Sequence, residues 1–319
     1  MAGDWAIRPL SLGDVVDRAV ALTKASFLPL LALSFVTGLP VLALHRAYTE
    51  VLSDLLETAL ARHTLPAGSA ARLGTWSAAV LLVSVLLQLL GTGAAAAVVS
   101  PLLRGEPAPS GAAVGLRRAL ERWRELLSMA LAVLAALALA ALAGAAPGAL
   151  AAWTLGGLGR ALAVAAAALG ALLALLWAVV RFALAPSAAG AEGLRGLPAL
   201  RRSARLMGTS RGERFADRPG VRVSAIFLVT FLLALAVSGL AALPRAALSL
   251  AYGGGGGGPL PPLPWPAEVA VGLVEAVGNA VVQPFGFVAL TVFYFDRRAR
   301  REGLDLERWA SAIADAGAR

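Results

Sequence analysis

Six stretches without a single charged side chain fix what this chain can become. They run over residues 25–44, 73–103, 126–159, 161–180, 223–244 and 276–295. A helix needs roughly 20 residues to cross the hydrocarbon core of a bilayer, and every stretch reaches that length. Inside a bilayer the backbone must pair its own polar groups, so such runs fold as helices. The sequence therefore predicts an all-α polytopic membrane bundle with six transmembrane helices. Composition agrees: 59 % of the 319 residues are hydrophobic and 15 % charged, with a mean hydropathy of +0.76. An ordinary soluble domain sits near 45–50 % apolar and about 25 % charged.

The net charge of +9 resembles a nucleic-acid signal until position is considered. With six spans, the connections alternate sides. The N-terminus, the 104–124 loop, the 181–222 segment and the C-terminus share one side. They carry all the basic residues except Arg46, Arg62, Arg72, Arg160 and Arg245, a split of 23 to 5. That is the positive-inside pattern, and it predicts cytoplasmic termini. Anionic lipid headgroups are then the natural partners of the excess arginine, with a protein partner as a second candidate. No nucleic-acid-binding motif accompanies the charge. Asp4, Arg8, Asp14, Asp17, Arg18 and Lys24 interrupt the first 24 residues. A cleavable signal peptide is not expected there, and the first span should be retained as an anchor.

Catalytic chemistry finds little material. There is no cysteine, which excludes disulfides, thiolate catalysis and Cys-ligated metals. The two histidines, His45 and His63, lie outside the apolar runs with no second histidine at ligand spacing. No nucleophile–base pair, paired carboxylate or Gly-x-Ser-x-Gly elbow occurs. The chain is expected to be no enzyme, with no cofactor, metal or catalytic residue.

A short amphipathic stretch precedes each odd-numbered span. The first begins at Ser11, with Asp14 completing a capping-box-like pattern; Leu12, Val15, Ala19 and Leu22 share its apolar face. The second begins after Ser110, with Leu116, Leu120, Trp123 and Leu127 apolar and Arg117, Arg118, Glu121 and Arg124 polar. The third lies near 196–208, with Leu197, Leu200, Ala204 and Met207 opposite Arg201, Arg202 and Arg205. Such helices lie in the headgroup plane. Val16-Asp17-Arg18-Ala19, Leu116-Arg117-Arg118-Ala119 and Leu200-Arg201-Arg202-Ser203 overlay without gaps. The chain thus reads as one membrane domain of three units sharing one orientation, 8–103, 108–186 and 194–298, with a tail at 299–319. Arg18, Arg117, Arg118, Arg201, Arg202 and Arg205, with Arg298 and Arg300 after the last span, form the candidate basic surface for lipid or partner.

The outer connections differ. Residues 45–73 should contain a helix with Leu52, Leu55, Leu56 and Leu60 on one face. The connection near 147–159 is short and Gly-rich. The third holds six consecutive glycines, 253–258, before a proline-rich stretch, a flexible-then-stiff linker.

The last span carries the candidate pocket. Glu268, Glu275, Asn279 and Gln283 are spaced so that they form one polar stripe on a helix otherwise apolar. A charge at mid-membrane is costly, so Glu275 should face the bundle interior or be protonated. Gln88 in the second span and Arg160 before the fourth are candidate partners of the stripe. Pro284 should break the helix just after Gln283, a pattern seen at ion and substrate sites. The stripe reads either as interhelical hydrogen bonding or as a binding pocket, and the latter would suit a small transporter.

Three segments carry a family resemblance: Arg8-Pro9-Leu10-Ser11-Leu12-Gly13-Asp14, Pro186 through Arg205 and especially Ala199 through Leu206, and Pro284 with Tyr294-Phe295-Asp296-Arg297-Arg298-Ala299-Arg300-Arg301-Glu302-Gly303-Leu304-Asp305. They resemble a group of bacterial multi-span proteins similar to the membrane domain found ahead of some glycerophosphoryl diester phosphodiesterases. No His-Arg-Gly-type hydrolase motif occurs here, so the resemblance implies the membrane module without the catalytic domain. At the C-terminal motif, Tyr294 is expected at the interface. Asp296, Arg298, Arg300 and Glu302 are expected to pair with one another or with the basic helices, or to offer a docking face.

Overall fold

The computed structural model describes residues 9–62, 68–106, 111–209, 213–252 and 264–303. Its elements are helical throughout these residues: α1 (Leu12–Ala25), α2 (Phe27–Arg62), α3 (Ser69–Leu103), α4 (Ala112–Glu121), α5 (Trp123–Thr154), α6 (Gly157–Phe182), α7 (Ala185–Glu192), α8 (Gly196–Leu206), α9 (Pro219–Tyr252) and α10 (Trp265–Glu302). A 3-10 turn, Phe215–Asp217, leads into α9. Six helical segments are long and apolar enough to cross a membrane: α2, α3, α5, α6 with α7, α9 and α10. The six-glycine loop with its proline run, His63 and the tail from 304 onward lie outside the described residues, as does the Glu268 side chain.

The amphipathic stretches at Ser11, after Ser110 and near 196–208 become α1, α4 and α8. Ser11 caps α1 as its spacing with Asp14 predicts: its hydroxyl accepts from the Asp14 amide at 3.1 Å while the Asp14 carboxylate accepts from the Ser11 amide at 2.9 Å. A cap of this kind is worth about 1 kcal/mol. In the overlaid positions the three helices bury equivalent small residues: Val15 and Ala19, Gly115 and Ala119, Ala199 and Ser203. Each lies against the helices that precede its own span. The second, α4, packs on α2 and α3, and α8 packs on α5 and α7; α1 packs on α10. First thus meets last, and the three contacts close a ring. The end of the bundle holding these helices is termed the basic end, and the opposite one the far end.

Inside the ring, three helical pieces form the core: the basic-end part of α3 from Gly91 to Leu103, α7, and α10 from Pro284 to Phe295. Small residues set their spacing. A Cβ added to Gly190 would sit 1.9 Å from the Gly93 carbonyl oxygen, and one on Gly91 would sit 2.7 Å from the Phe287 ring. Close approach through small residues is how helices associate where no hydrophobic gain separates protein from lipid.

Three expectations are corrected, and the first outer connection is not among them: it contains helix as expected, with α2 running unbroken to Arg62 through Glu50 and Asp54, Leu55 buried and Leu56 exposed. The second outer connection is shorter than expected. Pro147 and Gly148 lie within α5, where Gly148 packs on the α6 backbone, and the turn is confined to Leu155 and Gly156. Pro284 does not break its helix: α10 is continuous from 265 to 302. Proline removes one amide, but packed neighbours hold the helix together on both sides of the gap. Finally, residues 185–192, counted in the 181–222 connection, are packed into the bundle. They form the buried helix α7, in which Ala185 through Ala191 are all inaccessible. The step from α6 to α7 leaves backbone groups without helical partners, and buried Ser203 of α8 meets both sides of it. Its hydroxyl donates to the Arg181 carbonyl at 3.0 Å and accepts from the Leu184 amide at 3.2 Å.

Candidate functional site

The polar stripe of α10 meets two other helices. Gln283 donates from Nε2 to Gln88 Oε1 of α3 at 3.0 Å. Gly38 of α2 lies over the same amide, where a Cβ would stand 3.4 Å from Gln283 Oε1. One turn nearer the far end, Asn279 Oδ1 accepts from Ser238 of α9 at 3.5 Å. A further turn on, Glu275 forms an ion pair with Arg46 of α2 at 2.7 Å, both side chains about three-quarters buried. Of the two partners expected for the stripe, Gln88 is found on it, bonded to Gln283, while Arg160 is exposed at the start of α6 with no bond to Glu275; the partner of Glu275 is Arg46.

Part of the stripe lines a half-open cavity of about 380 Å³, which Glu275, expected in such a pocket, does not border. Gln88, Asn279 and Gln283 reach it together with His45, Ser84 and Thr230, over a floor of Val41, Leu42, Ala234 and Val282. Beside it is a second cavity of about 370 Å³, apolar almost throughout and lined by Leu89, Val133, Leu137, Phe182, Phe227 and Leu290. Ser84 and Gln88 border both. Each volume lies within the range of ~300–1,000 Å³ typical of ligand sites. Together they offer one polar and one apolar compartment across a shared pair of side chains.

The basic residues fall into two groups. Arg202, Arg298 and Arg300 are drawn into ion pairs at the basic end. Arg202 bonds Glu192 at 2.9 Å and Glu302 at 2.8 Å, and Arg298 meets Glu192 at 3.2 Å and Glu302 at 3.0 Å. Burial alone would lower the Arg202 guanidinium, but the hydrogen bonds to Glu192 and Glu302 outweigh it and hold the pKa above its ordinary value. Tyr294 is not at the surface: it is fully buried and donates to Glu192. Arg300 meets Asp296 at 3.1 Å and the Leu10 carbonyl at 2.7 Å. Arg18 and Arg118 are half-buried. Arg117, Arg201 and Arg205 face outward, Arg117 paired with Glu121 at 3.1 Å.

One cluster goes beyond the pairing expected for Asp296. Asp296 and Arg222 are both buried and pair at 2.8 Å. Arg222 also donates to the Leu10 carbonyl at 2.7 Å, while the Leu10 amide donates to Asp296 at 2.7 Å. Arg297, equally buried, donates to the carbonyls of Leu206 and Gly208 at 3.1 and 3.3 Å. An aspartate lodged in a basic run directly after an apolar span is the one signal that could have announced it. A buried charge in such a place needs a partner. Comparison with family models, with curated proteins and with solved structures finds no match.

Proposed function

We propose that this chain is a non-enzymatic lipid-binding module of a bacterial cytoplasmic membrane, with both termini on the cytoplasmic side, and that its paired cavities hold one amphiphilic molecule. The observation that carries this reading is the sharing of Ser84 and Gln88 between a polar and an apolar compartment. A headgroup would bond the amides of Gln88, Asn279 and Gln283, and an acyl chain would lie along Val133, Leu137 and Phe182. The excess of arginine at the basic end supports the orientation. The likeness of the 294–305 motif to a phosphodiesterase membrane domain supports a module that works among lipids.

A transport reading draws on the same polar stripe. It needs a route through the basic end, and there α10 is buried from Pro284 to Phe295. The geometry favours holding a ligand over passing it on.

Native mass spectrometry of the gently extracted protein tests the proposal. A stoichiometric amphiphile should co-purify, and Gln88→Leu with Gln283→Leu should weaken its retention by about tenfold or more, the equivalent of about 1.4 kcal/mol. A bare protein, or an adduct indifferent to both substitutions, would refute it.

A further inference from the structure

A third cleft lies at the basic end, on the flank where α6 meets the start of α9. It encloses about 500 Å³ and is bordered by Trp177, Arg181, Thr209, Phe215, Arg218 and Ser224. Its chemistry differs from that of the central cavities, since two guanidiniums and two hydroxyls face it. Several arginines at this end are already neutralised: Arg202, Arg222, Arg297 and Arg298 each pair with a carboxylate. Arg181 and Arg218 have no carboxylate partner among the described residues, even though Asp217 neighbours Arg218 in sequence. Arg218 instead stacks over the Phe215 ring at 5.7 Å. The amides of Gly220 and Val221, in the first turn of α9, border the same space and have no helical acceptor, which adds a positive pole.

The apolar half of the site decides what kind of anion fits. Trp177 and Phe215 are largely exposed, at 62 % and 70 %, and flank the guanidiniums on the side open to the surroundings. Below them α6 presents Leu172, Leu173 and Leu176 outward. Aromatic rings of this kind prefer the headgroup level, and a leucine surface beneath suits acyl chains. A free anion would use only the upper half of such a site.

We propose that the α6–α9 cleft is a binding site for the phosphate of an anionic phospholipid, held between Arg181 and Arg218, with its acyl chains descending along α6. The site is separate from the central cavities and does not depend on their ligand.

Delipidated protein in neutral detergent would be titrated with phosphatidylglycerol, with phosphatidylcholine and with soluble glycerol phosphate, and occupancy read by native mass spectrometry. Phosphatidylglycerol should bind about tenfold or more tightly than phosphatidylcholine, a difference of about 1.4 kcal/mol. Arg181→Gln with Arg218→Gln should erase that preference. Arg181→Lys with Arg218→Lys should restore much of it, and Lys24→Gln with Arg124→Gln, which removes the same charge elsewhere on the basic end, should leave it intact. Equal loss in both glutamine pairs would reduce the effect to diffuse charge and overturn the site. Glycerol phosphate binding as tightly as the lipid would overturn the assignment to a phospholipid. Gln88→Leu should not alter the preference, so failure here and failure of the central cavity are read apart.

Discussion

Residues 284–299 of α10 and the α5–α6 hairpin both belong to spanning helices, yet opposite means hold them. The α10 segment is almost wholly buried and ends in ion pairs that reach α7, α8 and α9 and in a hydrogen bond from Leu10, just ahead of α1. The hairpin turns Leu158, Leu162, Leu169, Leu172, Leu173 and Leu176 outward, and α6 buries only Ala163 and Ala178. What joins α5 to α6 is proximity. A Cβ on Gly144 would stand 2.3 Å from the Gly170 carbonyl oxygen, and one on Gly170 would stand 2.2 Å from that of Gly144. In a bilayer an outward leucine loses nothing, because lipid is as apolar as the core, so helices cohere through close packing or through polar bonds. This bundle uses the first on its flank and the second at its basic end.

The largest effect should follow a cut at the polar end. Asp296→Ala leaves the Arg222 guanidinium buried without its carboxylate, and breaking a buried pair in this way costs about 3–5 kcal/mol. The variant should show the steepest fall in apparent Tm, read by size-exclusion recovery after heating. A melting point close to that of the parent protein would mean that water already reaches Arg222. Next comes the flank. Gly144→Val puts a branched side chain against backbone that cannot yield, an overpacking worth about 1–3 kcal/mol. Unfolding in mixed micelles should need correspondingly less denaturing detergent. The smallest effect should be Leu172→Ala on the outward face of α6, within about 0.5 kcal/mol of the parent. If Leu172→Ala cost as much as Gly144→Val in the same titration, the outward leucines would be buried in an assembly and the contrast would collapse.

The outline of this architecture is written in short-range patterns. Uncharged runs mark the spans, and the Ser11–Asp14 box together with arginine at helical spacing marks α1, α4 and α8. These signals are local, since hydropathy and capping act within a few residues. What stayed hidden depends on distant partners. Residues 185–192 hold Pro186 and Gly190 and have no amphipathic period. Their helix is fixed by Ser203 of α8 and by the seat against Gly93. The stripe through Glu275, Asn279 and Gln283 is visible along α10, and Gln88 is correctly brought to it. The Arg46 partner of Glu275 is 229 residues away and leaves no mark in the spacing. Arg222 reads as one more basic residue ahead of a span. Only the Asp296 carboxylate makes it an interior group.

The Leu10 contacts also bear on the order in which the molecule can be completed. Leu10 emerges 286 residues before the carboxylate that receives its amide, and Arg222 emerges 74 residues before the same group. During synthesis α1 therefore waits at the membrane surface while five spans are laid down. Arg222 enters the bundle as an unneutralised charge until the sixth follows. The last span works as a keystone: a chain halted before residue 296 has its spans in place and its ring open. Such pairings between distant segments slow folding, since loop closure must precede the contact that rewards it.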